Sequence, residues 1–205
     1  MSNAAVLSAN THLLEWLGLS LTPGLGPSKS RKLVEHFGSA EAVFRASLTE
    51  LEGAGIRAVS AQALATGKSA ELAREEINRA AAAGVTVLSM GDPLYPPRLK
   101  EIYDPPLVLY VRGDAEVLIK PGIAMVGTRH PTPYGSGMAE SLASDLAAQG
   151  LIIISGMARG VDTARHRGAI AAKGKTVAVF GTGVDVIYPK ENSRYPSRFS
   201  LWAAL

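Results

Sequence analysis

The chain has 205 residues, no cysteine and a formal net charge of +3. That length allows one or two domains, each with a core of its own. The missing cysteines exclude a disulfide scaffold, thiolate zinc sites, iron–sulfur clusters and any cysteine nucleophile. A hydrophobic fraction of 47% against 19% charged excludes wholesale disorder. The start, Met1 to Asn10, has no basic stretch leading into an apolar run, and the apolar runs elsewhere, such as Leu151–Ile154, are short. A membrane span needs about 20 residues, so the expectation is a soluble, cytoplasmic protein with no membrane partner.

Up to about residue 83 the apolar pattern has helical period. Helices are expected over His12–Leu19, Ser28–Phe37, Ser39–Ala46, Arg57–Ala65 and Ser69–Ala83, with Gly84 as the stop after the last. From residue 84 the period changes. Val85–Ser89 and Leu107–Val111 read as strands separated by proline-broken loops. Ile123–Val126, Leu151–Ile154 and Thr176–Phe180 are three further β-type runs that end in glycine or serine. Amphipathic helical segments, Tyr134–Gln149 and Val161–Ala172, lie between them. Met138, Leu142 and Leu146 share one face of the first, which is read as core packing. The even recurrence of strand ends at Gly127, Ser155 and Gly181 suits βαβ units, whose right-handed crossovers make the sheet parallel. The expected organisation is a helical domain over 1–83 and a doubly wound α/β domain over 84–205.

In an open parallel sheet, ligands bind beyond the carboxyl ends of the strands. Those ends carry Gly127-Thr-Arg129, Ser155-Gly-Met-Ala-Arg-Gly160 and Gly181-Thr-Gly183. Glycine lets backbone amides approach a phosphate, and the helix N-termini that follow add partial positive charge. Arg129 and Arg159 add guanidinium forks that bind phosphate bidentately or stack on a base. One such loop is an ordinary tight turn; three with two arginines point to anion binding. Asp162 and His166, one helical turn apart, are read as a structural brace and not as a catalytic dyad. There is no G-x-x-x-x-G-K-[ST], no G-x-G-x-x-G after a strand, no H-E-x-x-H and no G-x-S-x-G. No catalytic residue, metal site or cofactor is therefore assigned.

The helical part carries a second signal. Leu21 to Leu33, with Gly24, Gly26, Lys29, Arg31 and Lys32, resembles a helix-hairpin-helix element, whose amides hold DNA backbone phosphates without reading bases. A packing hairpin is the alternative. Leu51 to Ile56 reads as a degenerate second copy without the positive charge.

Ala124-Met-Val-Gly-Thr-Arg-His-Pro-Thr-Pro-Tyr-Gly135, Ser155-Gly-Met-Ala-Arg-Gly-Val-Asp-Thr-Ala-Arg-His-Arg-Gly-Ala169 and Gly181-Thr-Gly-Val-Asp-Val-Ile-Tyr-Pro-Lys-Glu-Asn192 together resemble the DprA/Smf family, DNA-processing protein A, in order and spacing. The proline-rich approach from Tyr95 to Gly113 is similar too. The resemblance implies a small helix-hairpin-helix, SAM-like domain followed by a Rossmann-like sheet. It implies a non-enzymatic protein that binds single-stranded DNA, protects incoming strands in natural transformation and loads RecA, with a homodimer among its assemblies. Carried onto this chain, the pocket is Gly127, Arg129, Ser155, Gly156, Arg159, Gly160, Gly181, Gly183 and Lys190, with Gly24, Gly26 and Lys29 as secondary phosphate contacts. Tyr134 and Tyr188 offer stacking faces, though loop packing is the expected role.

The chain departs from the family after Asn192. Its last residues, Ser193 to Leu205, do not resemble the family's continuation, so the sheet is expected to be incomplete and the RecA-contact residues cannot be placed. Met157 and Arg165 stand where leucine and a smaller residue are expected. Two other readings use the same cleft. One is a phosphoribohydrolase-like nucleotide enzyme, for which no glutamate follows the Gly181 loop before Glu191. The other is a sensor that binds a small nucleotide.

Overall fold

The computed structural model describes residues 12–184, 186, 189 and 201–204. The chain divides into two compact units, Met1–Leu109 and Tyr110–Leu205.

The first unit contains helices α1 (Leu13–Leu21), α2 (Pro27–Phe37), α3 (Ala40–Arg45), α4 (Leu48–Gly53), α5 (Ala58–Ala65) and α6 (Lys68–Ala82), then strand β1 (Thr86–Ser89) and a short helix α7 (Pro97–Lys100). Leu17, Leu19, Leu33, Val43, Leu51 and Leu64 form its buried interior. The helix α4 is absent from the sequence reading, which treated this stretch as part of a hairpin. Its signal is local: the Ser47 hydroxyl accepts from the Glu50 amide while the Glu50 carboxylate accepts from the Ser47 amide, a reciprocal cap that starts a helix at Leu48. That amide bond holds the Glu50 carboxyl below its usual range. The proline-broken loop is pinned by Tyr95, 1% exposed, whose hydroxyl donates to Pro106 O at 2.6 Å. Burial pushes its phenol up to about 12.

Strand β2 (Val108–Gly113) leads into the second unit, which holds a 3-10 turn (Ala115–Ile119), β3 (Gly122–Ala124), α8 (Pro133–Ala148), β4 (Ile152–Gly156), α9 (Val161–Ala171), β5 (Thr176–Phe180) and β6 (Leu201–Ala204). Strands β3, β4 and β5 are parallel neighbours, in register Ile123↔Ile153 and Ile154↔Val177. This is the expected β-α-β-α-β arrangement, with α8 and α9 packed on each other and on β4. Strand β6, which the sequence reading did not assign, pairs parallel to β5 and antiparallel to the Tyr110–Gly113 part of β2. The sheet of this unit therefore runs β2-β6-β5-β4-β3.

Met125, Ile153, Ala143, Ala147 and Ala169 form the core between sheet and helices. The α8 stripe is only partly core. Leu146 packs against this cluster, but Met138 and Leu142 are 52% and 50% exposed. The reason is steric: α8 meets its neighbours through alanines 139, 143 and 147, because α9 brings Gly168 up to the backbone at Glu140. Only a small-residue face permits that approach, and the larger side chains are left on the outside.

Candidate nucleic-acid interface

The carboxyl ends of β3, β4 and β5 lie together, as a parallel sheet requires, and the loops after them enclose a cleft of about 570 Å³. Arg129 comes from the first loop, Gly156, Met157, Ala158 and Arg159 from the second, and Gly181 and Thr182 from the third. Asp162 of α9 and His130 also line it; the sequence reading had not placed either in a binding cleft. Arg129 is exposed and makes no hydrogen bond or ion pair with the described residues.

Other predicted residues shape the cleft from behind. At Gly127 a Cβ would meet Val161 at 2.8 Å, so the first loop crosses α9 in close contact. Ser155 is 3% exposed, and its hydroxyl donates to Met125 O at 2.7 Å, tying β4 to β3. Its side chain is therefore turned into the protein. Gly160 adopts φ +82°, and its own surroundings leave no room for a Cβ beside Thr128 and Arg129. The Val161 amide then donates to Thr128 O at 3.2 Å, which joins the first and second loops. Gly183 lies in the third loop, where its carbonyl accepts from the Val186 amide at 3.0 Å. Lys190 and Tyr188 lie outside the described residues. Tyr134 is 77% exposed on the first turn of α8, so it is not packed into a loop as expected.

His166 braces this end of the sheet. It is 1% exposed, with Nε2 2.7 Å from Gly156 O and Nδ1 2.8 Å from Thr176 Oγ1. A carbonyl can only accept, so Nε2 carries the hydrogen; the Thr176 hydroxyl, beside Nδ1, donates to Ile153 O at 2.8 Å. Burial holds the histidine below its ordinary range, while the Gly156 bond and the Asp162 carboxylate work against that shift. The unfolded chain takes up a proton near pH 6.5, which the folded chain resists. Below that pH the unfolded state binds more protons, so this contribution to stability is present above about 6.5 and is lost as the pH falls. Thermal midpoints are expected to drop between about pH 7.5 and 5.5. His166→Gln should flatten that part of the profile; an unchanged slope would exclude His166 as its source.

Arg165 sits behind the first loop. Its Nη2 donates to Val126 O at 2.8 Å, whereas Nε and Nη1 are buried without a hydrogen-bond partner. Desolvation lowers its pKa from the usual arginine value.

In the first unit Gly24 has φ +73°, and its carbonyl accepts from Arg57 Nη2 at 2.8 Å. The predicted hairpin is thus packed against the start of α5. Gly26 is the N-cap of α2, followed by Pro27, and Lys29 is exposed on the first turn. Arg31 is engaged elsewhere, donating to Tyr103 O at 2.9 Å and pairing with Asp104 at 3.3 Å.

Comparison with known proteins identifies the family and the fold. Residues 86–201 match the family model described as DNA recombination-mediator protein A. The chain is 33% identical over 192 residues to the protein Smf of Synechocystis sp., a match that covers 90% of this chain and 48% of that protein. It is 44% identical over 106 residues to the DNA processing protein DprA of Streptococcus pneumoniae, covering 52% and 37% of the two chains. The X-ray structure of DprA from S. pneumoniae superposes with a TM-score of 0.77 at 29% identity, covering 93% of this chain and 66% of that one. A structure of DNA processing protein A from Helicobacter pylori, described for its single-stranded DNA binding mode, superposes with a TM-score of 0.51 at 31% identity, covering 58% and 54%. The chain spans about half the length of the curated relatives it matches, or less.

Proposed function

Because this chain belongs to the DNA recombination-mediator protein A family, we propose that it binds single-stranded DNA in the cleft at the carboxyl ends of β3, β4 and β5. The observation that carries the reading is the convergence of three glycine-bearing loops on one cleft, with the unpaired Arg129 at its wall. Backbone amides of the Gly156 and Gly181 loops and the Arg129 guanidinium would hold phosphates, contacts that tolerate any base sequence. Arg159 and Lys190 would add positive charge, and Tyr134 an exposed stacking face. Gly127, Ser155 and Gly160 would serve by fixing the loops, and Gly183 by shaping the third. Gly24, Gly26 and Lys29 would add phosphate contacts from the helical hairpin. In the cell such binding would shield incoming single strands during natural transformation and present them to RecA, with the protein acting as a non-catalytic, cytoplasmic mediator and as a homodimer.

The test is fluorescence anisotropy with a labelled mixed-sequence single strand of about 30 nucleotides, long enough for more than one contact site, against the same sequence as duplex. Tight binding that prefers the single strand and weakens steeply with salt is expected, because each neutralised phosphate releases counterions. Arg129→Ala should weaken it about tenfold and lower the salt slope by about one. Binding that survives this change would remove Arg129 from the interface and turn attention to the hairpin at Gly24. A folded chain that binds a mononucleotide and ignores the strand would favour the small-nucleotide reading.

A further inference from the structure

The loop that carries Arg129 leaves the sheet after Met125, whose amide still donates to Ile154 O of β4 at 2.8 Å. Strand β3 is the edge of the sheet, so among the described residues no strand flanks the loop on its outer side. Neither Val126 nor Gly127 anchors the loop by its own side chain: the valine is 79% exposed and the glycine has none. Helix α9 holds it instead, from two positions one turn apart. The Val161 amide donates to Thr128 O at 3.2 Å, and Arg165 Nη2 donates to Val126 O at 2.8 Å. The first is a main-chain bond that any residue but proline would make. The second exists only because position 165 carries a long side chain with a donor at its end.

Arg165 makes that bond at a cost. The residue is half-buried, and its Nε and Nη1 are buried with no hydrogen-bond partner among the described residues. Each unsatisfied N–H forfeits the bond it makes with water in the unfolded chain. A side chain present only to fill this space would do so at less cost as methionine. Nor does Arg165 line the cleft, as Arg129 does. What it does hold is the carbonyl of Val126, three residues before Arg129.

On the single-stranded DNA reading above, we propose that Arg165 is a positioning residue. It clamps the first loop to α9 and so fixes where the Arg129 guanidinium meets a phosphate, without touching the strand itself.

The experiment is a double-mutant cycle, read by anisotropy on the labelled single strand, with Arg165→Met, Arg129→Ala and the pair. A thermal melt accompanies each sample. Methionine matches the arginine stem and removes every donor. Arg165→Met should weaken binding about fivefold, the worth of roughly one hydrogen bond. In the Arg129→Ala background the same change should alter affinity by less than about twofold, because the loop then has no guanidinium to place. The melting midpoint of Arg165→Met should equal or exceed that of the wild type, since the buried unpaired donors are gone.

Unchanged affinity in Arg165→Met would overturn the inference. An equal loss with and without Arg129 would overturn it too, because Arg165 would then act through its charge and not through the loop. So would an affinity and a midpoint that fall together, the mark of a plain structural brace. A folded wild-type chain that binds no single strand would overturn the DNA reading itself.

Discussion

Gly168→Ala is expected to destabilise the second unit by about 3 kcal/mol. A Cβ there would run into the backbone carbonyl oxygen of Glu140 and would also sit 3.0 Å from its carbonyl carbon and 3.1 Å from the Ser144 amide nitrogen. These are main-chain atoms of α8, so no side chain can rotate away. The two helices must separate, which opens the cluster of Met125, Ala143, Ala147, Ile153 and Ala169. Alanine is the better helix former by about 1 kcal/mol, so the steric term has to overcome a favourable one. Gly137→Ala on α8 is the matched control: a Cβ there meets nothing within 4 Å, and the propensity gain should appear as a small stabilisation. Urea midpoints measure both. A Gly168→Ala chain as stable as wild type would mean that the helices do not pack this closely.

Gly160→Ala is expected to cost stability and DNA affinity together. With φ +82° and ψ −125°, the residue lies where a side chain is strained, a penalty of about 1–3 kcal/mol. The added Cβ would also lie 2.6 Å from Thr128 O and 2.7 Å from both the carbonyl carbon and oxygen of Arg129. The chain can relieve this only by moving the first loop, which carries Arg129. A loss of about 2–3 kcal/mol in unfolding free energy is expected. Single-strand affinity should fall about tenfold, since the charged contact depends on where that loop sits. Thermal melts and anisotropy on the same sample read the two effects. Lost stability with unchanged affinity would place the DNA contact outside the Thr128–Arg129 loop.

Much of this arrangement was legible because its signals are local. Helix caps, glycine stops and period-2 runs lie within a few residues of the structure they specify, so the element order of the second unit follows from the sequence through β5. The Ser47–Glu50 cap is equally local, but the glycine pattern of Leu51 to Ile56 masks the helix that it starts. Handed crossovers then bring the carboxyl ends of parallel strands together, so the gathering of Arg129, Gly156, Arg159 and Gly181 was also deducible.

What depended on contacts between distant segments was not. Met138, Leu142 and Leu146 have the same sequence period, yet only Leu146 reaches the core, because the approach of Gly168 to Glu140 decides which face of α8 is covered. Ser155 belongs to the glycine-loop motif, but its hydroxyl is committed to Met125 O thirty residues away. Asp162 and His166 form one i, i+4 pair in the sequence; the fold buries the histidine between β4 and β5 and leaves the acid against the cleft. Strand β6 is added where β2 and β5 leave hydrogen-bonding edges to fill. The sequence by itself determined most of the helices, the strands through β5, their order and the family, because those depend on neighbours along the chain. The tertiary structure decided which side chains face inward, which face the cleft and which face solvent, because burial and close approach are set by residues that meet only after folding.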